Sequence, residues 1–161
     1  MTEIIQAKLE DAALIHELAH AIWYPTYESI LSKEQIDFML DKMYSVEALR
    51  TAIQNKKAFH LLYEEGIPVG FIGVDPKEDL LRIEKIYLLP STQGKGYGKL
   101  LIDFAAQEAK KLGLQTLELN VNRSNNAYQF YLKQGFEVIQ EIDIPYYRFI
   151  LDDYIMRKKL D

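Results

Sequence analysis

The sequence predicts an α/β domain built around a mixed sheet. Three observations carry that expectation. Apolar residues recur at helical spacing through most of residues 11–55. Residues 58–89 read instead as three consecutive strands separated by turn-forming residues. A glycine-rich loop then joins a strand to a helix, and a strand, a helix and two strands follow. The 161 residues suit one domain with one hydrophobic core.

Residues 2–8 read as the first strand. Leu14, Ile15, Leu18 and Ile22 form one apolar stripe over 11–22, and Pro25 is expected to break that helix. Ser32 with Gln35 makes a capping box for a helix carrying Ile36, Met39, Leu40 and Met43. Ser45 caps the next, with Val46, Leu49 and Ile53. "AFHLLYEEGIPVGFIGV" is a hairpin turning at Glu64-Glu65-Gly66. The turn Asp75-Pro76-Lys77-Glu78-Asp79 introduces the strand "LLRIEKIYLL". After the glycine loop a helix presents Leu100, Leu101, Phe104, Ala105, Ala109 and Leu112, and Gly113 stops it. "QTLELNV" is a strand, 125–134 a helix ended by Gly135, and "FEVIQEIDI" and "RFILDDYIMRKKL" close the chain as strands.

Composition excludes several classes of chemistry. With no cysteine there is no disulfide, thiolate zinc site or cysteine nucleophile. Met1–Gln6 lacks the basic and apolar regions of a secretory signal, and no apolar run approaches the roughly 20 residues that span a bilayer. A cytoplasmic protein is therefore expected. A net charge of −5 argues against sequence-independent binding of nucleic acid and is compatible with a cationic ligand.

The stretch "QGKGYG", residues 93–98, carries three glycines between a strand and a helix. It is not a Walker loop, because Gly96 follows Lys95 where Ser or Thr would be needed for magnesium. It misses the dinucleotide fingerprint by one residue, since Gly94-Lys95-Gly96-Tyr97-Gly98 is G-x-G-x-G. Glycines still let backbone approach a ligand closely, and the coming helix offers free N–H groups, so a pyrophosphate suits the loop. A tight turn without a ligand is the simpler alternative.

"IEKIYLLPSTQGKGYGKLLIDFA" resembles the signature of the GNAT superfamily of acyl-CoA N-acyltransferases, in which Q/R-x-x-G-x-G/A opens a helix. "VNRSNNAYQFYLKQGFEV" resembles the family's later segment, where an Asn-containing loop starts a helix ending in F-Y-x-K-x-G-F. The element order is similar too, so the resemblance covers almost the whole chain. It implies a single N-acetyltransferase domain over 1–161. It also implies a GNAT fold, whose central mixed, mostly antiparallel sheet is splayed at the cofactor site and flanked by helices.

The resemblance implies acetyl-CoA as acetyl donor, with no metal. The loop from Gln93 through Gly94, Lys95, Gly96, Tyr97 and Gly98 to Lys99 would hold the pyrophosphate. Ile86, Tyr87 and Leu88 would pair with the pantetheine arm, and the Leu88 amide would donate to the thioester oxygen. Asn125 or Asn126 would contact the cofactor. Lys133 is a candidate for a phosphate, or a solvated helix lysine. Tyr131 resembles the family's general acid: a phenol with pKa about 10 can protonate a developing thiolate. Its alternative is a core aromatic. An alkylamine with pKa about 10 arrives protonated, and Glu84 is the candidate base. Glu84 otherwise pairs with Arg82 or Lys85 on the strand face.

Trp23, Tyr24, Tyr27, Glu28 and Tyr154, with Asp152 and Asp153, are the expected acceptor lining, since aromatic faces and carboxylates suit an ammonium. A packed core edge explains the aromatics as well. The "WYPTY" and "DDYIMRKKL" segments are loosely similar to bacterial polyamine and small-amine acetyltransferases, which implies a small primary amine or polyamine acceptor; the acidic balance alone does not separate these from a peptide amine, and the GNAT resemblance allows a homodimer. One rival is a non-catalytic acyl-CoA sensor or partner domain. A remote one is a zinc metalloprotease, because "HELAH" places His16 and His20 on one helical face with Glu17 between them. Against it, Trp23 and Thr26 stand where an extended zinc motif needs Gly and His, and the only other histidine is His60.

Overall fold

A computed structural model describes residues 1–161. The chain forms two compact units, one of Met1–Val74 with Lys85–Gly98, the other of Asp75–Glu84 with Lys99–Asp161.

The first unit begins with β1 (Thr2–Gln6), a 3-10 turn (Leu9–Asp11) and three helices: α1 (Ala12–Tyr27), α2 (Lys33–Tyr44) and α3 (Val46–Gln54). Pro25 does not break α1. It lies in the last turn, where only one amide is lost, and two bonds keep that turn closed: Glu28 N–H to the Tyr24 carbonyl (2.9 Å) and the Thr26 hydroxyl to the Ile22 carbonyl (2.7 Å). Ser32 and Ser45 cap α2 and α3, each accepting an amide at 3.1 Å. Only half of the Ser32–Gln35 capping box forms, because the Gln35 amide turns to the Met39 sulfur at 3.7 Å. β2 (Ala58–Glu64) and β3 (Ile67–Pro76) form the expected hairpin, with Glu65 and Gly66 both at positive φ in its two-residue turn. β1 and β2 pair antiparallel, as do β2 and β3. Ile15, Ile22, Ile36, Leu40, Leu49, Leu61, Leu62 and Ile72 are buried completely or nearly so.

β4 (Leu81–Leu88) gives its first half to the second unit and its second half to the first. α4 (Tyr97–Lys111), β5 (Thr116–Asn122), α5 (Ala127–Lys133), β6 (Glu137–Tyr146) and β7 (Phe149–Lys159) follow. In the second unit the strand order is β4-β5-β7-β6. β4 and β5 run parallel through only three pairs, ending at Ile83↔Leu119, although β4 itself continues to Leu88. β5–β7 and β6–β7 are antiparallel, so the seven strands are mixed and mostly antiparallel. On β5 the alternation is strict: Leu117, Leu119 and Val121 are buried, while Glu118, Asn120 and Asn122 lie on the other face. α4 buries Leu101, Ile102, Ala105 and Ala109; Leu112, expected in its apolar stripe, falls after its last residue and is exposed. No helix is long and apolar enough to cross a membrane.

Candidate active site

The glycine loop begins where a 3-10 turn (Pro90–Thr92) follows β4, closed by the Thr92 hydroxyl on the Leu89 carbonyl at 2.7 Å. Gly94 and Gly96 take φ of +82° and +80°, a region L side chains rarely adopt. A Cβ added to either would meet nothing within 4 Å, so the loop lies open on those sides. α4 starts at Tyr97, and its first amides have no partner within the helix. Their dipoles favour an anion. The loop's side chains are engaged elsewhere. Lys95 Nζ pairs with Glu64 at 2.8 Å, and the Tyr97 hydroxyl donates to the same carboxylate. Those two bonds, Lys95 first, hold the Glu64 carboxyl below the usual range. Gln93 is exposed, and Lys99 pairs with Asp103 at 2.7 Å. An anion here would be held mainly by backbone.

Ile86, Tyr87 and Leu88 form the end of β4 and are half-buried. Gly70 of β3 backs them so closely that a Cβ there would stand 2.6 Å from both the Tyr87 carbonyl and Leu88 Cδ2. The Tyr87 ring joins an aromatic cluster with Trp23, Tyr44 and Phe71, at centroid distances of 5.7, 6.4 and 5.8 Å. Its hydroxyl lies 3.0 Å from that of Tyr27. Burial pushes the Tyr44 phenol well up, and Lys85 Nζ sits 5.2 Å from the Tyr44 ring centre. Trp23 and Tyr27 thus meet Tyr87, whereas Tyr24 turns away to donate to Asp37, and Glu28 is exposed.

Tyr24 helps line a cleft of about 350 Å³ with His16, His20, Lys33, Asp37 and Asp41. The two histidines do share a face, their ring centres 4.2 Å apart. His16 Nδ1 is 2.6 Å from the Tyr44 carbonyl and His20 Nδ1 is 2.9 Å from the His16 carbonyl. Carbonyls only accept, so both Nδ1 atoms carry their protons. No three His, Asp or Glu side chains stand close enough together to hold a metal ion.

In the second unit Glu84 is exposed, with Oε2 3.8 Å from Arg82 Nε. Tyr131 is buried on α5 against Phe130 and Phe136. Asn125 Oδ1 accepts the Ala127 amide at 2.9 Å in a local turn. Asn126 is exposed at the helix start with no side-chain cap bond, and Lys133 is exposed without an ion pair. The Tyr154 ring packs 4.8 Å from that of Tyr128.

Sequence patterning did not single out a chain of polar contacts across β4, β5 and β7. Arg157 Nε donates to Glu118 (2.8 Å) and Arg82 Nη1 to the other Glu118 oxygen (2.6 Å). Arg82 Nη2 donates to Asn120 Oδ1 (2.5 Å), and Asn120 Nδ2 donates to Asp153 (3.1 Å). Desolvation would raise the Glu118 carboxyl, but the two arginines outweigh it and leave the group below the usual range. Asp153 moves the other way: burial raises it despite Asn120. The signal in the sequence was the polar half of "LELNVN". Its partners could be found only from the β4–β5 and β5–β7 registers.

A glycine loop with two residues at positive φ heads a helix in an α/β fold with a mixed sheet, an arrangement whose backbone amides suit an anion. Residues 28–146 match the acetyltransferase (GNAT) domain, and the chain belongs to that family of N-acetyltransferases. It is 30% identical to the PaiA N-acetyltransferase of Thermoplasma acidophilum, whose crystal structure is a complex with coenzyme A. The two superpose with a TM-score of 0.85 over 99% of each chain. It is 39% identical over 83 residues to the ribosomal protein bS18-alanine N-acetyltransferase of Haemophilus influenzae, covering 52% of this chain and 55% of that protein. It is 25% identical over 146 residues to the aminoalkylphosphonate N-acetyltransferase of Salmonella typhimurium, covering 83% and 93%. The chain spans about half the length of several curated relatives it matches.

Proposed function

We propose that the protein transfers the acetyl group of acetyl-CoA directly to a primary amine, with a small amine or polyamine as acceptor. The observation that carries this reading is the open glycine loop at the head of the 15-residue helix α4, in a chain of this family. Backbone amides within Gln93 to Lys99 hold the pyrophosphate, chiefly those of the glycines and the first turn of α4, because the Gln93 and Lys95 amides already bond the Pro90 and Thr92 carbonyls; the Lys95 and Lys99 side chains, already paired, add little. The edge of β4 at Ile86–Leu88 receives the pantetheine arm, and the Leu88 amide donates to the thioester oxygen. Asn126, with an uncommitted amide side chain, is favoured over Asn125 for the cofactor contact, and Lys133 is free to reach a phosphate. Bound acetyl-CoA supplies a thioester, whose sulfur takes a proton from Tyr131 on leaving.

Two observations support a small acceptor. The Salmonella relative that acts on aminoalkylphosphonates aligns with 83% of the chain, against 52% for the bS18-alanine enzyme. The Tyr87 ring is half-buried at the end of β4 and suits an alkylammonium chain, while Trp23 and Tyr27 are buried behind it as core. Calorimetry with acetyl-CoA, then thiol release across a panel of spermidine, putrescine, aminoalkylphosphonate and an alanine-ended peptide, tests the reading. Micromolar donor binding and turnover with a small amine are expected. Turnover with the peptide alone would reverse the acceptor, and binding without any turnover would leave only a sensor.

A further inference from the structure

The polar chain on β4, β5 and β7 ends at the Asp153 carboxylate. Arg82 can only donate, so Asn120 must turn its Oδ1 toward the guanidinium and its NH2 toward Asp153. The Arg82–Glu118 pair, braced by Arg157, fixes that orientation. Asp153 Oδ2 takes the Asn120 bond, and Oδ1 accepts from no side chain. Its backbone carbonyl is held by Arg123 at 3.1 Å. The Asp153 carboxylate is therefore rigidly placed, half-buried and open at one oxygen.

From this geometry we infer that Asp153, rather than Glu84, accepts the proton from the substrate ammonium. The inference rests on amine acetylation as the reaction. Glu84 is exposed and sits 3.8 Å from the Arg82 guanidinium, its ion-pair partner on the strand face. Asp153 is shielded from water, and that shielding makes it more basic than an ordinary aspartate against the opposing Asn120 bond. The charged groups that bear on it are Arg123 and Arg82, which lower its pKa, and Asp152, which raises it. Its position fits as well. The β4–β5 ladder ends at Ile83↔Leu119, and Asn120 is the next residue on β5, so the Asn120–Asp153 bond lies just past the last pair. β4 itself runs on from Ile83 to Leu88, the stretch assigned to the thioester arm. In the step proposed, an N–H bond of R–NH3⁺ breaks, an O–H bond forms on Asp153 Oδ1, and the nitrogen keeps the electron pair for attack. Asp153 later returns its proton to water. Asn120 is a positioning residue, and Arg82 positions it in turn.

The test combines carboxyl NMR titration with kinetics on the full chain. The wild-type resonance missing from Asp153→Asn should titrate above the ordinary aspartate range, about 3.9; a value at or below that range would overturn the assignment. Asp153→Asn should bind acetyl-CoA as the wild type does, lose about 10²-fold or more in kcat, and lose the acid limb of kcat/KM. Glu84→Gln should stay within about tenfold of wild type and keep that limb. Asn120→Leu should move the limb upward, because the bond that opposes the shift is gone. The converse pattern, with Glu84→Gln inactive and Asp153→Asn unimpaired, would sink the inference while leaving the acetyltransferase reading intact. If the wild type acetylated no amine, that reading would fall instead, and the titration alone would decide whether Asp153 is the shifted carboxylate.

Discussion

Tyr131 satisfies two demands with one side chain. Its ring is core, buried and packed between Phe130 and Phe136 on a seven-residue helix. Its hydroxyl is the proton donor in the proposed reaction. Tyr131→Phe separates the two, because the ring and its packing remain. Turnover should fall about 10²-fold with acetyl-CoA affinity little changed. Wild-type turnover would return Tyr131 to the core. Asp153 gives the complementary case. Burial raises its folded-state pKa above the unfolded value, so the folded protein holds this proton more tightly. That contribution is complete below the unfolded aspartate value and is lost as pH rises through the raised one. At neutral pH the ionised carboxylate is then a cost, the kind of local penalty a functional site carries. Asp153→Asn should melt higher than wild type at pH 7, with the gain vanishing toward pH 4. Thermal melts across that range check it, and a gain that did not depend on pH would contradict the burial argument.

Local signals explain which elements were legible. Caps at Ser32 and Ser45, the hairpin turn at Glu65-Gly66 and the glycine loop are each written within a few residues, and each formed where expected. Pro25 misled because its effect depends on place, and in a last turn it removes little. The clamp on the loop was out of reach, since Glu64 lies 31 residues from Lys95. So was the network from Arg157 to Asp153, which needs a strand order that inverts β6 and β7. The β3–β4 contact is another non-local feature with a measurable consequence. Gly70→Ala would place a methyl 2.6 Å from the Tyr87 carbonyl. Backbone must move, because a carbonyl cannot rotate away as a side-chain tip can. We expect a loss of about 1–3 kcal/mol in urea unfolding, the usual range for overpacking. Turnover should fall with it, since Leu88 shifts too. A variant as stable and active as wild type would show that β4 yields without consequence.

At the scale of the whole molecule, family membership supports the proposed reaction type more firmly than the proposed acceptor, because one fold serves many amines. Charge offers an independent handle. The net charge of −5 favours cations over anions in solution around the protein, and a polyamine feels that field more strongly than a monoamine. Screening sharpens the contrast: the Debye length shrinks from about 30 Å at 0.01 M salt to about 3 Å at 1 M. If a polyamine is the acceptor, kcat/KM for spermidine should fall about tenfold between low and high salt. A monoamine of similar chain length should lose only about twofold, and kcat should hardly change for either. Steering acts before binding, so its loss belongs in kcat/KM rather than in the bound complex. Equal salt slopes for the two amines would mean that recognition is local, with the overall charge taking no part in choosing the acceptor.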